Sequence, residues 1–286
     1  MEQVIIIGAG PAGISASLYT VRAGIDTLII HNGGGALEKT DKIENYYGFA
    51  QPVSGKDLLD AGMKQAARLG VRFAEEEVVS LGFGESLQVI TDKTTYDTKT
   101  VILTTGSPRA VPKIEGLAGF EGAGISYCAV CDAFFNRGKD VAVLGSGQFA
   151  LNEVNDLLPV AGSVTLLTNG DEPTADFPAE VQINRKKISR LTGSDHLEAV
   201  EFKDGSSLDV FSVFVAYGTA GSADMAKKLG ILTENNKITV DENMATNVPG
   251  VYAAGDCTGG MLQVAAAVYE GAKAGTSAVK FIRESD

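Results

Sequence analysis

Two thiols three positions apart, in Tyr127-Cys128-Ala129-Val130-Cys131-Asp132, are the residues of this chain best suited to electron-pair chemistry. At that spacing two cysteines can close a small, reducible disulfide. Asp132 beside them is a carboxyl that can shuttle a proton while one thiolate attacks and another leaves. The same residues can also be read as two buried structural thiols with Asp132 capping a turn, or as half of a metal site. A zinc site would draw two more ligands from Cys257, His31 and His196, which lack the expected spacing, so no metal is expected. Three cysteines are too few for a disulfide framework and cannot supply the usual four-cysteine ligation of an iron–sulfur cluster, so any such cluster belongs on a partner. Cys257, with no nearby thiol in sequence, reads as a small buried hydrophobe.

A second chemistry-bearing pattern lies at the start of the chain. Gln3–Ile7 reads as a buried strand, followed by Gly8-Ala9-Gly10-Pro11-Ala12-Gly13, a helix to about Arg22 and a second strand at Thr27–Ile30. In such a unit the glycines let backbone N–H groups approach a pyrophosphate, and the helix dipole favours its charge. The acid that ordinarily holds the adenosine ribose is missing: His31-Asn32 stand there, and Glu38 is displaced. The pattern recurs when Asp140–Leu144 runs into Gly145-Ser146-Gly147-Gln148-Phe149-Ala150, a helix ending near Pro159, and a strand at Val164–Leu167.

These elements imply an α/β protein with two three-layer dinucleotide-binding-like domains, the second inserted into the first. The length of 286 residues accommodates two units. Turn-rich crossings at Thr104–Arg109 with Val111-Pro112, and at Asp241–Pro249, mark the hinges, giving one domain from 1–111 and 245–286 and an insert from 112–244. Hydrophobic residues make up 44% and charged residues 21%, as in ordinary folded proteins rather than disordered chains. A net charge of −12 opposes nucleic-acid binding. Apolar runs are broken by glycine well before the roughly 18 residues a spanning helix needs, so no membrane segment is expected. Met1-Glu2-Gln3 leads into a strand without a basic region or cleavage site, which points to the cytoplasm.

The segment Cys128-Ala129-Val130-Cys131-Asp132-Ala133-Phe134-Phe135 resembles the C-A-x-C-D-G-F-F segment of low-molecular-weight thioredoxin reductases. The likeness extends over nearly the whole chain, through Glu44-Asn45-Tyr46, Thr105-Gly106, and Gly255-Asp256 with its following helix. It implies FAD as cofactor, with Gly8, Gly10, Pro11, Ala12, Gly13, Asn45, Thr105, Gly106, Gly255, Asp256, Gln263 and Val264 in its site. It further implies that Cys128 attacks the disulfide of thioredoxin, that Cys131 faces the flavin, that Asp132 is the family's acid, and that the protein is a homodimer whose domains rotate.

In that family the second glycine loop binds NADPH, using G-G-G-x-x-A and an H-R-R-x-x-x-R run for the 2′-phosphate. Here the loop carries bulky Phe149, expected to obstruct the pyrophosphate, and Leu167-Thr168-Asn169-Gly170-Asp171-Glu172 offers two acids and no cation. Arg185, Lys186 and Lys187 can take over the phosphate from a neighbouring strand, and Asp171 can accept from the ribose of NADH. The combination resembles the ferredoxin-dependent flavin thioredoxin reductases, which implies ferredoxin as electron donor. Lys39, Lys42, Arg109 and Lys113 are candidate contacts for it, equally readable as solvated surface. The remaining alternatives are an NADPH- or NADH-dependent thioredoxin reductase, a flavin-bearing redox sensor or binding protein whose CxxC switches shape, and a related oxidoreductase that keeps the CxxC but takes neither ferredoxin nor thioredoxin.

Overall fold

The computed structural model describes residues 1–33, 35, 37–106, 112–218 and 221–285, and all element counts are of those residues. The first strand, β1 (Glu2–Ile7), is a run of β-branched side chains with Val4–Ile6 fully buried, as a central parallel strand covered on both faces requires. Pro11 opens helix α1 (Pro11–Arg22), where its missing N–H is no loss. The chain returns as β2 (Thr27–His31), parallel to β1.

Helix α2 (Gly55–Arg68) is capped by Ser54, whose Oγ accepts the Asp57 N–H at 3.0 Å. It leads to β3 (Arg72–Glu75), parallel to β2. An antiparallel meander of β4 (Val78–Phe83), β5 (Leu87–Thr91) and β6 (Thr95–Leu103) brings β6 back alongside β1. The first crossing then begins, and its residues 107–111 lie outside the described residues.

The inserted unit is built round a parallel sheet in the order β10 (Gln182–Asn184), β9 (Ser163–Leu167), β8 (Asp140–Leu144), β14 (Ser212–Val215), β7 (Ile125–Ser126). Its elements follow in the sequence β7 (Ile125–Ser126), the short helix α3 (Ala129–Asp132), β8 (Asp140–Leu144), α4 (Gln148–Leu157), β9 (Ser163–Leu167) and β10 (Gln182–Asn184). An antiparallel sheet of β11 (Ile188–Gly193), β12 (Leu197–Phe202) and β13 (Ser207–Asp209) precedes β14 (Ser212–Val215). Leu144, Leu167, Val213 and Val215 from the parallel sheet share one core cluster with Ile188, Leu191, Val200 and Phe202 from the antiparallel one.

The chain closes with α5 (Ser222–Lys228), the hairpin β15 (Thr233–Glu234) and β16 (Lys237–Ile238), β17 (Val251–Ala253) parallel to β6, and α6 (Val264–Ser285). Helix α6 lies so close to α1 that a Cβ on Gly271 would come within 2.1 Å of the Ala12 carbonyl oxygen, and one on Gly275 within 2.5 Å of that of Ala16. Ser15 Oγ donates to the Val268 carbonyl at 2.6 Å across this contact. Among the described residues no helix is long and apolar enough to cross a membrane.

The contacts divide the chain into one unit of residues 1–109 and 221–286 and another of 110–220. The first boundary falls beside the expected one, whereas the second comes earlier than the expected 244/245. Residues 221–244 lie in the first unit for a physical reason. Ala223, Met225 and Ala226 of α5 are buried, the Ser222 N–H donates to Thr105 Oγ1 at 2.9 Å, and the Ile238 N–H donates to the Cys257 carbonyl at 2.9 Å.

Candidate functional site

In the inserted unit Cys128 and Cys131 form a disulfide, with sulfurs 2.07 Å and Cα atoms 5.4 Å apart. Cys128 ends the extended segment from β7 and caps α3, its Sγ accepting the Cys131 N–H at 3.2 Å. Ser126 Oγ accepts the Cys128 N–H at 3.1 Å and donates to Asp132 Oδ2 at 2.7 Å. Asp132 is therefore tied by its side chain to the residue that enters the turn. Buried Asn136 fixes the other end, its Nδ2 donating to the Asp132 carbonyl at 2.8 Å. From α4, Glu153 Oε2 accepts the Ala129 N–H at 2.6 Å.

The two cysteines are not equivalent. Cys128 is only 3% exposed, while Cys131 is exposed. The resemblance assigns the attack on a protein disulfide to Cys128, so that assignment requires Cys128 to be uncovered first. Around the turn Val130, Phe134 and Phe135 are exposed, the last two at 74% and 72%, with their rings 5.9 Å apart edge to face.

Sequence reasoning names Cys128, Cys131 and Asp132 but misses Ser126, Glu153 and Asn136. Ser126 and Asn136 carry no sequence signal. Glu153 carries one, because it interrupts the stripe Phe149, Ala150, Val154 and Leu157 that α4 turns inward.

The other unit gathers the first glycine pattern. Gly8, at φ +110°, follows β1, and a Cβ there would lie 2.5 Å from the Thr104 carbonyl oxygen; one on Gly13 would lie 2.0 Å from that of Gly8. Thr104 Oγ1 donates to the Ile7 carbonyl at 2.8 Å and locks the turn. Gly10 is different, since a Cβ there would meet nothing within 4 Å. Its open side, at the N-terminus of α1 with Pro11, Ala12 and Gly13, is where a pyrophosphate can approach the backbone.

Gly106 (φ +76°) and Gly255 (φ +82°) follow the ends of β6 and β17, and the Gly255 N–H donates to Glu270 Oε2 at 2.7 Å. The Asp256 carbonyl accepts from Lys237 Nζ at 2.5 Å. Asn45 Nδ2 donates to Gln263 Oε1 at 2.8 Å, directly before Val264 opens α6. Thr105, a candidate cofactor contact, has its hydroxyl bonded to Ser222 Oγ. His31 ends β2 in place of the ribose acid, its Nδ1 buried without a hydrogen-bond partner among the described residues. Glu270, which holds the Gly255 turn, escapes sequence reasoning because its contact lies fifteen residues away along the chain. The donor set and the open face at Gly10 fit FAD.

The second glycine loop follows β8. Phe149 does not sit in its mouth: the side chain is 2% exposed and faces the core, which corrects the expectation that it obstructs a pyrophosphate. Another part of the unit covers this loop instead. Thr174 donates its N–H to the Ser146 carbonyl at 2.7 Å, and its Oγ1 would stand 3.4 Å from a Cβ on Gly147. Asp171 Oδ2 accepts from Tyr217 Oη at 3.0 Å. Arg185 pairs with Glu172 at 3.3 Å and Lys186 with Asp204 at 2.9 Å, so two of the three candidate cations for a 2′-phosphate are already matched with acids. Lys39, Lys42 and Lys113 are exposed, and Arg109 lies outside the described residues.

The cysteine of the first unit is of another kind. Cys257 is buried, its Sγ donates to the Ala254 carbonyl at 3.3 Å, and burial pushes its thiol up to about 11. It is a core residue, as its isolation in sequence suggests.

A family model described as pyridine nucleotide-disulphide oxidoreductase matches residues 2–271. The chain is 34% identical over 301 residues to the thioredoxin reductase of Listeria innocua, covering 99% of this chain and 94% of that protein. Among solved structures it is similar to the atypical thioredoxin reductase TRi from Desulfovibrio vulgaris Hildenborough, with 38% identity and a TM-score of 0.93 over 99% of both chains. It is also similar to a ferredoxin-flavin thioredoxin reductase from Clostridium acetobutylicum, with 30% identity and a TM-score of 0.72 over 99% of this chain and 98% of that one.

Proposed function

The chain belongs to the pyridine nucleotide-disulphide oxidoreductase family, as an FAD-binding thioredoxin reductase, and from that premise we propose that its electrons come from reduced ferredoxin rather than from NADPH. The observation that carries this reading is the second glycine loop, where Thr174 leans on Ser146 and the strand edge beyond β9 presents Asp171 and Glu172. A 2′-phosphate brought there would meet two carboxylates, and the Arg185 guanidinium already answers one of them. The solved ferredoxin-flavin neighbour lends the donor class its support.

Bound FAD supplies a carrier that fills one electron at a time and discharges two at once. Two electrons and one proton break the Cys128–Cys131 bond, leaving one thiol and one thiolate. Cys131 is the sulfur we assign to exchange with the flavin. Asp132, held by Ser126, takes the proton from the Cys128 thiol. The Cys128 thiolate then attacks a thioredoxin sulfur, forming a mixed disulfide and releasing a thioredoxin thiolate. The Cys131 thiolate attacks Cys128 Sγ in that mixed disulfide and displaces the second thioredoxin thiolate, so that Cys128–Cys131 re-forms; the proton held by Asp132 and one from water complete the thioredoxin dithiol that leaves. Exposed Phe134 and Phe135 give a macromolecular acceptor an apolar surface beside the sulfurs. Domain rotation uncovers Cys128 in this reading, and the enzyme acts as a cytoplasmic homodimer.

The test is an anaerobic visible titration of the yellow protein with NADPH, NADH and reduced ferredoxin in separate cells, each followed by oxidised thioredoxin. Bleaching by ferredoxin alone, with colour restored by thioredoxin, is the expected result. Rapid bleaching by either nicotinamide would replace the donor while leaving the disulfide chemistry intact. Thioredoxin thiols that never exceed one equivalent per protein under excess donor would mean a sensor rather than an enzyme.

A further inference from the structure

Beneath the disulfide turn lies an acid that the exchange chemistry above does not use. Glu153 belongs to the inward stripe of α4 and is 1% exposed, yet its Oε2 accepts the Ala129 N–H at 2.6 Å. Ala129 follows Cys128 directly. Three backbone N–H groups at this turn thus have three different acceptors. That of Cys128 goes to Ser126 Oγ, that of Ala129 to Glu153, and that of Cys131 to Cys128 Sγ.

N–H groups at the start of such a turn ordinarily stabilise a thiolate on the leading cysteine. Glu153 withdraws one of them and brings its own negative charge within a residue of the sulfur. A buried carboxylate is costly unless it is hydrogen-bonded, and a glutamine would accept the same N–H without the charge. What glutamate adds over glutamine at this place is the charge itself.

We propose that Glu153 is a positioning residue that pins Ala129 and, through its charge, holds the Cys128–Cys131 couple toward the disulfide, making the dithiol a stronger reductant. The inference rests on reading Cys128–Cys131 as the redox pair. When that pair is reduced the S–S bond breaks, two electrons and one proton enter, and one thiol and one thiolate remain. The added negative charge on the pair is what the Glu153 carboxylate opposes. A dithiol so disfavoured gives up its electrons more readily to a partner's disulfide.

The test equilibrates the full-length FAD-loaded protein with graded ratios of reduced and oxidised dithiothreitol, and counts the Cys128 and Cys131 thiols by alkylation and mass. It needs neither ferredoxin nor thioredoxin. Glu153→Gln, which keeps an acceptor for Ala129, is expected to shift the equilibrium about tenfold toward the dithiol, about 30 mV for a two-electron couple. Glu153→Asp keeps the charge and stays within about threefold of the parent, roughly 15 mV. A Gln variant inside that threefold band, or an Asp variant shifted as far as Gln, overturns the proposal.

Should the Gln variant fail to fold, the parent labelled with carbon-13 glutamate carries the test. Its oxidised-minus-reduced infrared spectrum is expected to show a glutamate carboxylate band that vanishes in Glu153→Asp, and a spectrum without that band overturns the proposal equally. A pair that no dithiothreitol ratio reduces would defeat the redox reading of Cys128–Cys131 itself, a result distinct from an unmoved equilibrium.

Discussion

Ser126 Oγ donates to Asp132 Oδ2 at 2.7 Å, so the acid beside the disulfide is aimed by a hydroxyl that stands before the first cysteine. The same oxygen accepts the Cys128 N–H, and one serine thereby sets both the entry of the chain into the turn and the direction of its carboxyl. Ser126→Ala is expected to lower thioredoxin turnover about tenfold and to cost about 1 kcal/mol of stability, the usual worth of a buried hydrogen bond. Steady-state kinetics beside urea unfolding check it. Unchanged turnover in a destabilised variant would make Ser126 a purely structural residue.

The two outer glycines of the first loop and its middle one separate folding from cofactor binding. Gly13→Ala drives a Cβ onto the Gly8 carbonyl oxygen and is expected to cost about 3 kcal/mol or more, because backbone on both sides cannot yield cheaply. Gly10→Ala meets open space, so the cofactor-free protein is expected to melt as the parent does. Its FAD affinity is expected to fall about tenfold or more, since the added methyl stands where the pyrophosphate approaches. Calorimetry of the apoprotein and fluorescence titration with FAD give the two readouts. Parent-like FAD binding in Gly10→Ala would move the cofactor away from this loop.

Phe134 and Phe135 bury little of their surface, and replacing either with serine removes apolar area that only a partner can cover. Each substitution is expected to raise KM for thioredoxin about tenfold with kcat and melting temperature unchanged, as befits a residue anchoring an interface. A kcat effect without a KM effect would instead place the pair in the chemistry.

Alkaline pH reads out Cys257. Its thiol lies near 11 when folded and near 9.0 when free, so the stability it contributes is full below pH 9 and is lost as pH rises to 11, while the unfolded chain ionises and the folded one does not. Two units correspond to about 2 to 3 kcal/mol. Cys257→Ala is expected to flatten unfolding free energy between those limits in urea melts at graded pH. A parent and variant with parallel pH profiles would show that the thiol ionises equally in both states.

Much of this architecture is written locally. The Val4–Ile7 run, the glycine spacing and Pro11 specify a strand, a tight turn and a helix start within a few residues, and the Cys128–Cys131 spacing specifies a turn that can close on itself. What escapes is settled by distant partners. Nothing in Ser222–Lys228 says that its apolar face meets the unit containing Thr105 rather than the preceding sheet, so the return boundary is read too late. Phe149 is misjudged for a different reason. Its place after the glycine loop suggests the loop mouth, whereas the helical period, with Phe149, Ala150, Glu153, Val154 and Leu157 on one side of α4, turns the ring inward. Thr174 over Ser146 joins positions 28 apart through a segment without regular structure, which periodicity cannot see.

The union of α1 with α6 has a bearing on how the molecule comes into being. Ser15 and Val268 are separated by 253 positions, so a ribosome has added that many residues before the helix behind the first glycine loop can receive its mate. The interval between includes residues 110–220, which form a unit of their own. At about 5 to 20 residues per second, the first βαβ unit waits roughly 10 s or longer with its α1 face uncovered while the later segment matures. An N-terminal fragment lacking α6 would therefore be a client for chaperones.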